Sequence, residues 1–139
     1  MILYWSKFLH SQQWVIEEIC YTDCMSPVQI ITASIDRSVL KALARERFGD
    51  MVKAVVDIER NVMAIGGELH ADEEQILLEQ GSKQEHLWGI NLYPDTMTAD
   101  WLEFDSMINL RPSQANRSRG VENPDLQARI RSVVSSLVS

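Results

Sequence analysis

The stretch Arg111-Pro-Ser-Gln-Ala-Asn-Arg-Ser-Arg-Gly120 holds Arg111, Arg117 and Arg119 with no acid between them. Planar guanidinium groups grip a phosphate or carboxylate through two parallel hydrogen bonds, and Ser113 and Asn116 add short hydrogen-bonding side chains. A helix expected to open near Asn123 brings unpaired amides close to the same loop. Arg111, Ser113, Asn116, Arg117 and Arg119 are therefore the candidate binding residues for a small anion, a nucleotide or an RNA phosphate. A competing reading needs no ligand. The same arginines pair with acids of the fold such as Glu103, Asp105 or Glu122.

A second group lies in Gly66-Gly-Glu-Leu-His-Ala-Asp-Glu-Glu74. In an extended chain Glu68, His70 and Asp72 point the same way, because strand side chains alternate with period two. An imidazole among carboxylates suits acid–base work or a divalent metal. His70 and Asp105 are the candidate catalytic pair of a small hydrolytic or metal-assisted enzyme, with the arginine loop taking substrate charge. The spacing matches no established metal motif, so no metal site is assigned, and the sequence names no cofactor. The structural alternative has Asp72 capping a helix and His70 near the surface. His86, Trp88, Tyr93 and Trp101 read as packing residues, whereas Asn91 and Asn109 fall on polar strand faces able to line a cleft. The chain carries no phosphate-cradling glycine loop, dinucleotide fingerprint or Gly-x-Ser-x-Gly elbow.

These groups need elements to hold them. The β-branched run Val28 to Thr32 predicts a first strand, and Ser34 or Asp36 caps a helix whose apolar stripe is Ile35, Val39, Leu40, Leu43 and Phe48, ending at Gly49. Val52 to Ile58 and Val62 to Ile65 predict a hairpin across Glu59, Arg60 and Asn61. Asp72 with Gln75 fits a capping box for a helix stopped by Gly81. Leu87 to Tyr93 and Trp101 to Leu110 predict two further strands. Arg111 to Glu122 reads as a long loop, and Asn123, Pro124 and Asp125 open the last helix. Met1 to Cys24 has apolar spacings that fit one amphipathic helix. The order predicts an α+β fold, a mostly antiparallel sheet of about five strands with two to three helices packed on one face.

Length suits one domain, and no apolar run reaches the ~20 residues of a membrane span. The absence of a secretory pattern predicts a cytoplasmic protein. Cys20 and Cys24 both precede the predicted core, so no disulfide framework and no thiol catalysis is expected there. Charge is bipolar. Residues 57–105 hold twelve carboxylates against Arg60 and Lys83, a balance of −10, while residues 106–139 hold five arginines against Glu122 and Asp125, a balance of +3. Overall acidity opposes sequence-blind binding to duplex DNA; a partner-binding module without a small ligand, and a homo-oligomer, are the alternatives compatible with this composition.

The phrases ERFGDMVKAVVDIE (46–59), GGELHADEE (66–74), LLEQGSKQEHLWGINLYP (77–94) and EFDSMINLRPSQANRSRGVENP (103–124) carry a resemblance. From Ala44 onward the chain resembles a family of small bacterial proteins known as a domain of unknown function, over most of residues 26–139. The resemblance implies no activity. It implies that the glycine pair, His70, the Asn91 strand and the Arg111 loop belong to one recurring design, and that such proteins begin near Met25. Residues 1–24 accordingly read as an N-terminal extension or a misplaced start, and residues 25–139 as the domain.

Overall fold

The computed structural model describes residues 3–7, 14–18 and 28–139. Strands β1 (Leu3–Lys7) and β2 (Trp14–Glu18) pair antiparallel, Leu3 opposite Glu18 and Lys7 opposite Trp14. This replaces the single helix expected over Met1 to Cys24. Each segment spans only five residues and is rich in aromatic or β-branched types, which favour strand over helix.

The remaining elements are β3 (Gln29–Ile31), α1 (Arg37–Arg47), β4 (Val52–Asp57), β5 (Val62–Ile65), α2 (His70–Glu79), β6 (Leu87–Leu92), β7 (Leu102–Glu103) and α3 (Pro124–Leu137). Five strands form an antiparallel sheet in the order β3-β5-β4-β6-β7. The α+β class is the one the sequence predicts. Among the described residues no helix is long and apolar enough to cross a membrane.

Alternation divides the sheet into two faces. Val52, Ala54, Val56, Met63, Ile65, Trp88, Ile90 and Leu92 pack with Leu40 and Ala44 of α1 and Ile130, Val133, Val134 and Leu137 of α3. The opposite face carries a smaller cluster, Val55, Val62, Ala64 and Leu87, covered by Leu77 of α2. That smaller cover leaves one end of the second face open, where Lys53, Asn91 and Glu103 lie in cross-strand register.

Local chemistry sets the boundaries. Asp36 caps α1, accepting from the Ser38 amide at 3.2 Å, and Asn123 caps α3, accepting from Asp125 at 2.8 Å. Gly49 and Gly81 follow helices with φ of 96° and 100°, conformations that suit glycine. Helix α2 departs from expectation. It begins at His70, not after Asp72, and its N-cap is Leu69, with no side chain bonding the first turn. Glu73 instead folds back, its Oε2 accepting from the Gly67 amide at 2.8 Å. A Cβ at Gly67 would stand 2.9 Å from Glu73 Cγ, so only glycine admits the carboxyl there.

The strand expected over Trp101 to Leu110 shrinks to Leu102–Glu103. Ser106 interrupts the apolar series, and its Oγ accepts from the Ile108 amide at 3.2 Å, turning the chain into the 3₁₀ turn Met107–Asn109. Such a local bond competes with a strand ladder. Asn109 then takes over the pairing with β6, its Oδ1 accepting from Gly89 N at 2.9 Å and its Nδ2 donating to Gly89 O at 3.0 Å.

Candidate functional site

The open end of the second sheet face forms a pocket of about 490 Å³. Its floor is the row Lys53, Asn91 and Glu103; Leu69, His70 and Ala71 at the head of α2 form one wall; Asp105, Ser106, Met107, Ile108 and Arg119 contribute another. The register of β4, β6 and β7 fixes the floor, while the Ser106 turn and the Asn109–Gly89 pairing hold the second wall against β6.

Asn91 is only 5% exposed. Its Nδ2 donates to Glu103 Oε1 at 2.9 Å and to the Asp105 carbonyl at 3.3 Å. Its Oδ1 is buried and makes no hydrogen bond within the fold, although the side chain lies close enough to His70 to favour the charged ring. A buried acceptor without a donor is costly to the fold, by about 1–3 kcal/mol, and is relieved by a donor from a ligand or from the charged His70 ring beside it. Tyr93 donates to the same Glu103 oxygen at 3.1 Å, so that carboxylate is occupied from two sides. Tyr93 is itself held above the ordinary phenol range by burial and then by Glu103.

His70 is buried, with Nε2 2.8 Å from the Ile90 carbonyl. Burial draws its pKa below 6.5, opposed by the Ile90 bond, deepened by Lys53, and opposed again by Asp105 and Asn91. In the neutral ring, Nε2 keeps the proton that the carbonyl accepts, and Nδ1 carries the lone pair. The helix head adds polarity of its own. The Asp72 and Glu73 amides return to the Leu69 carbonyl at 3.1 and 3.4 Å, and without a side-chain cap the His70 and Ala71 amides are left open. Lys53 makes no ion pair among the described residues; its Nζ stands 5.3 Å from the Phe48 ring centroid.

The residues singled out from the sequence fall into two groups. His70, Asp105 and Arg119 share the pocket. Arg119 Nε meets Asp105 Oδ1 at 2.6 Å, an exposed ion pair that links the arginine loop to the floor strand's continuation. Arg111, Asn116, Ser113 and Arg117 lie outside it. The Arg111 guanidinium donates to the carbonyls of Ile108 (3.0 Å), Gln84 (2.6 Å) and Leu87 and stacks 4.2 Å from the Trp88 ring. Asn116 is buried, donating to the carbonyls of Asn109 (2.8 Å) and Gly120 (2.7 Å) and accepting from Glu122 N at 2.8 Å. Both side chains are consumed in shaping the loop. Ser113 and Arg117 are exposed, and the Arg117 guanidinium makes no ion pair among the described residues.

The extended alignment of Glu68, His70 and Asp72 is not formed, because the helix begins at His70 and turns Asp72 outward, while Glu68 pairs with Arg47 at 3.3 Å. Among the described residues no cluster of three or more His, Cys, Asp or Glu side chains is placed to hold a metal; Cys20 and Cys24 lie outside the described residues. Sequence reasoning missed Lys53, the second residue of an otherwise apolar strand and its lone charge before Asp57, and that interruption was the available signal.

A family model described as protein of unknown function (DUF5674) matches residues 29–137. No curated protein and no solved structure matches the chain.

Proposed function

The chain belongs to that family, and we propose that it is a binding domain for a small anionic ligand, seated in the pocket between the head of α2 and the Ser106–Ile108 turn. The observation that carries the reading is the buried, partnerless Asn91 Oδ1 on the pocket floor. Around it stand the uncapped first turn of α2, whose open amides favour negative charge, and Lys53, a cation that makes no ion pair among the described residues and whose charge is felt by Glu73. Arg119 is the member of the arginine loop that reaches the pocket, while Arg111 and Asn116 give that loop its shape. The ligand thus presents an anionic group to the helix head and Lys53, and a hydroxyl or amine donor to Asn91.

Titration of ¹⁵N-labelled protein with inorganic phosphate, AMP and 3-hydroxybutanoate tests this. Shifts in the His70 and Ala71 amides and the Asn91 side chain are expected, with Lys53→Met weakening binding about tenfold or more, the scale of a lost charge-assisted bond. Shifts confined to residues 111–120, or none with any probe, would show the assignment to be wrong.

A second reading is favoured by His70 itself. Its bond to the Ile90 carbonyl fixes the tautomer and burial favours the neutral ring, which suits Nδ1 to act as a general base with Asp105 in the same cleft. Hydrolysis of p-nitrophenyl phosphate or acetate that survives His70→Gln unchanged would remove it.

A further inference from the structure

The pocket joins its polar floor to an apolar mouth. Leu69 and Met107 line it from two different elements, and they are 59% and 61% exposed. Met51 and Ile108 continue the apolar surface inward. Leu69 is the more telling of the two. It occupies the N-cap position of α2, where Ser, Thr, Asn or Asp would bond the open amides, and it supplies no such bond. A position that breaks a local folding rule and leaves a large apolar side chain in water is better explained by what it contacts in a complex than by the fold. Volume points the same way, since about 490 Å³ is a pocket for an organic molecule, and a bare phosphate would leave most of it to water.

We propose that the ligand is amphiphilic: a small organic acid bearing a hydroxyl or amine beside its anionic head, with an apolar body lodged against Leu69 and Met107. This rests on the anion-binding reading and names its ligand class. The head faces the α2 amides and Lys53, the donor meets Asn91 Oδ1, and the body leaves through the mouth.

Calorimetric titration with 3-hydroxybutanoate, 3-hydroxyhexanoate and 3-hydroxyoctanoate, below their micellar concentrations, separates the two levels of the argument. Affinity should rise about threefold to fourfold per methylene buried until the mouth is filled. In Leu69→Gln/Met107→Gln, both sites being exposed and tolerant of polar side chains, the gain per methylene should fall. A series flat with chain length overturns the amphiphile while phosphate or AMP binding still upholds the anion site. A rise undiminished in the double variant also overturns it, because the apolar contact then lies elsewhere. If no probe binds, inorganic phosphate and AMP included, the underlying reading fails with it.

Discussion

Asn109 completes the sheet edge beside Gly89 with its side chain, accepting from the Gly89 amide at 2.9 Å and donating to the Gly89 carbonyl at 3.0 Å, the two bonds that a neighbouring strand would supply. It also donates to the Arg119 carbonyl at 2.9 Å, and it is fully buried. One amide therefore ties β6 to both ends of the segment that forms the pocket wall. Asn109→Leu leaves the Gly89 amide and carbonyl unpaired, while the Arg119 carbonyl keeps its bond from the Ser106 amide at 3.0 Å, and each buried loss costs about 1–3 kcal/mol. A destabilisation of at least about 2 kcal/mol is expected in urea unfolding, and one below about 1 kcal/mol would contradict this role.

Gly89 and Ser106 form a matched pair. A Cβ on Gly89 would stand 2.5 Å from Ser106 Oγ and 2.6 Å from Ser106 Cβ, closer than any real contact. Gly89→Ala should destabilise by roughly 1–3 kcal/mol, as overpacking does. Ser106→Gly removes both obstructing atoms, so Gly89→Ala/Ser106→Gly should be more stable than additivity of the single changes allows. Additive single-site effects in a double-mutant cycle would refute the pairing.

Arg111 and Arg117 differ in role although both belong to the arginine loop. Arg111→Lys keeps the charge but loses the planar fork that reaches the Ile108, Gln84 and Leu87 carbonyls at once, and should cost about 2–4 kcal/mol. Arg117→Ala, at an exposed guanidinium, should stay within about 0.5 kcal/mol of wild type. Equal effects from the two substitutions would show that the loop is not built around Arg111.

Much of the scaffold is legible in the sequence because caps and stops act locally: Asp36, Gly49, Gly81 and Asn123 fall where their chemistry requires. The site is less legible because its key relationships are long-range. Nothing local distinguishes Asn109, which replaces a strand, from Asn91, which leaves an acceptor open. Arg111 presents the same side chain as Arg119 until the Trp88 ring and three carbonyls surround it. The strand expected over Trp101 to Leu110 fails for a local reason, the Ser106 turn, but the turn is stable only because Asn109 can pair with Gly89 twenty positions away.

Glu73 makes stability fall as pH rises. Burial holds its carboxyl well above 4.5, opposed by the Gly67 amide and Lys53 and reinforced by Asp72. The native state therefore binds more protons than the unfolded one between pH 4.5 and the raised folded value, so the contribution is full below 4.5 and is lost as pH climbs through that window. Glu73→Gln can still accept from Gly67 and has no charge to bury. Its denaturation midpoint should decline less with pH than that of wild type, and parallel profiles from pH 4.5 to 8 would contradict the assignment.

His70 acts with the opposite sign. Its folded pKa lies below 6.5, so the unfolded state binds the extra proton between the folded value and 6.5, and stability is lost as pH falls through that range. Above pH 4.5 the window overlaps that of Glu73, and the two slopes oppose each other in wild type; the His70 slope should emerge alone in a Glu73→Gln background. The imidazole signals supply the sharper test, because they report the ring directly. Wild-type His70 should titrate below the usual histidine range. Since Asp105 favours the charged ring and Lys53 disfavours it, Asp105→Asn should move the titration lower still and Lys53→Met should move it higher. If Asp105→Asn leaves the His70 curve in place, the two groups do not feel each other across the pocket, and the acid–base reading loses its second member.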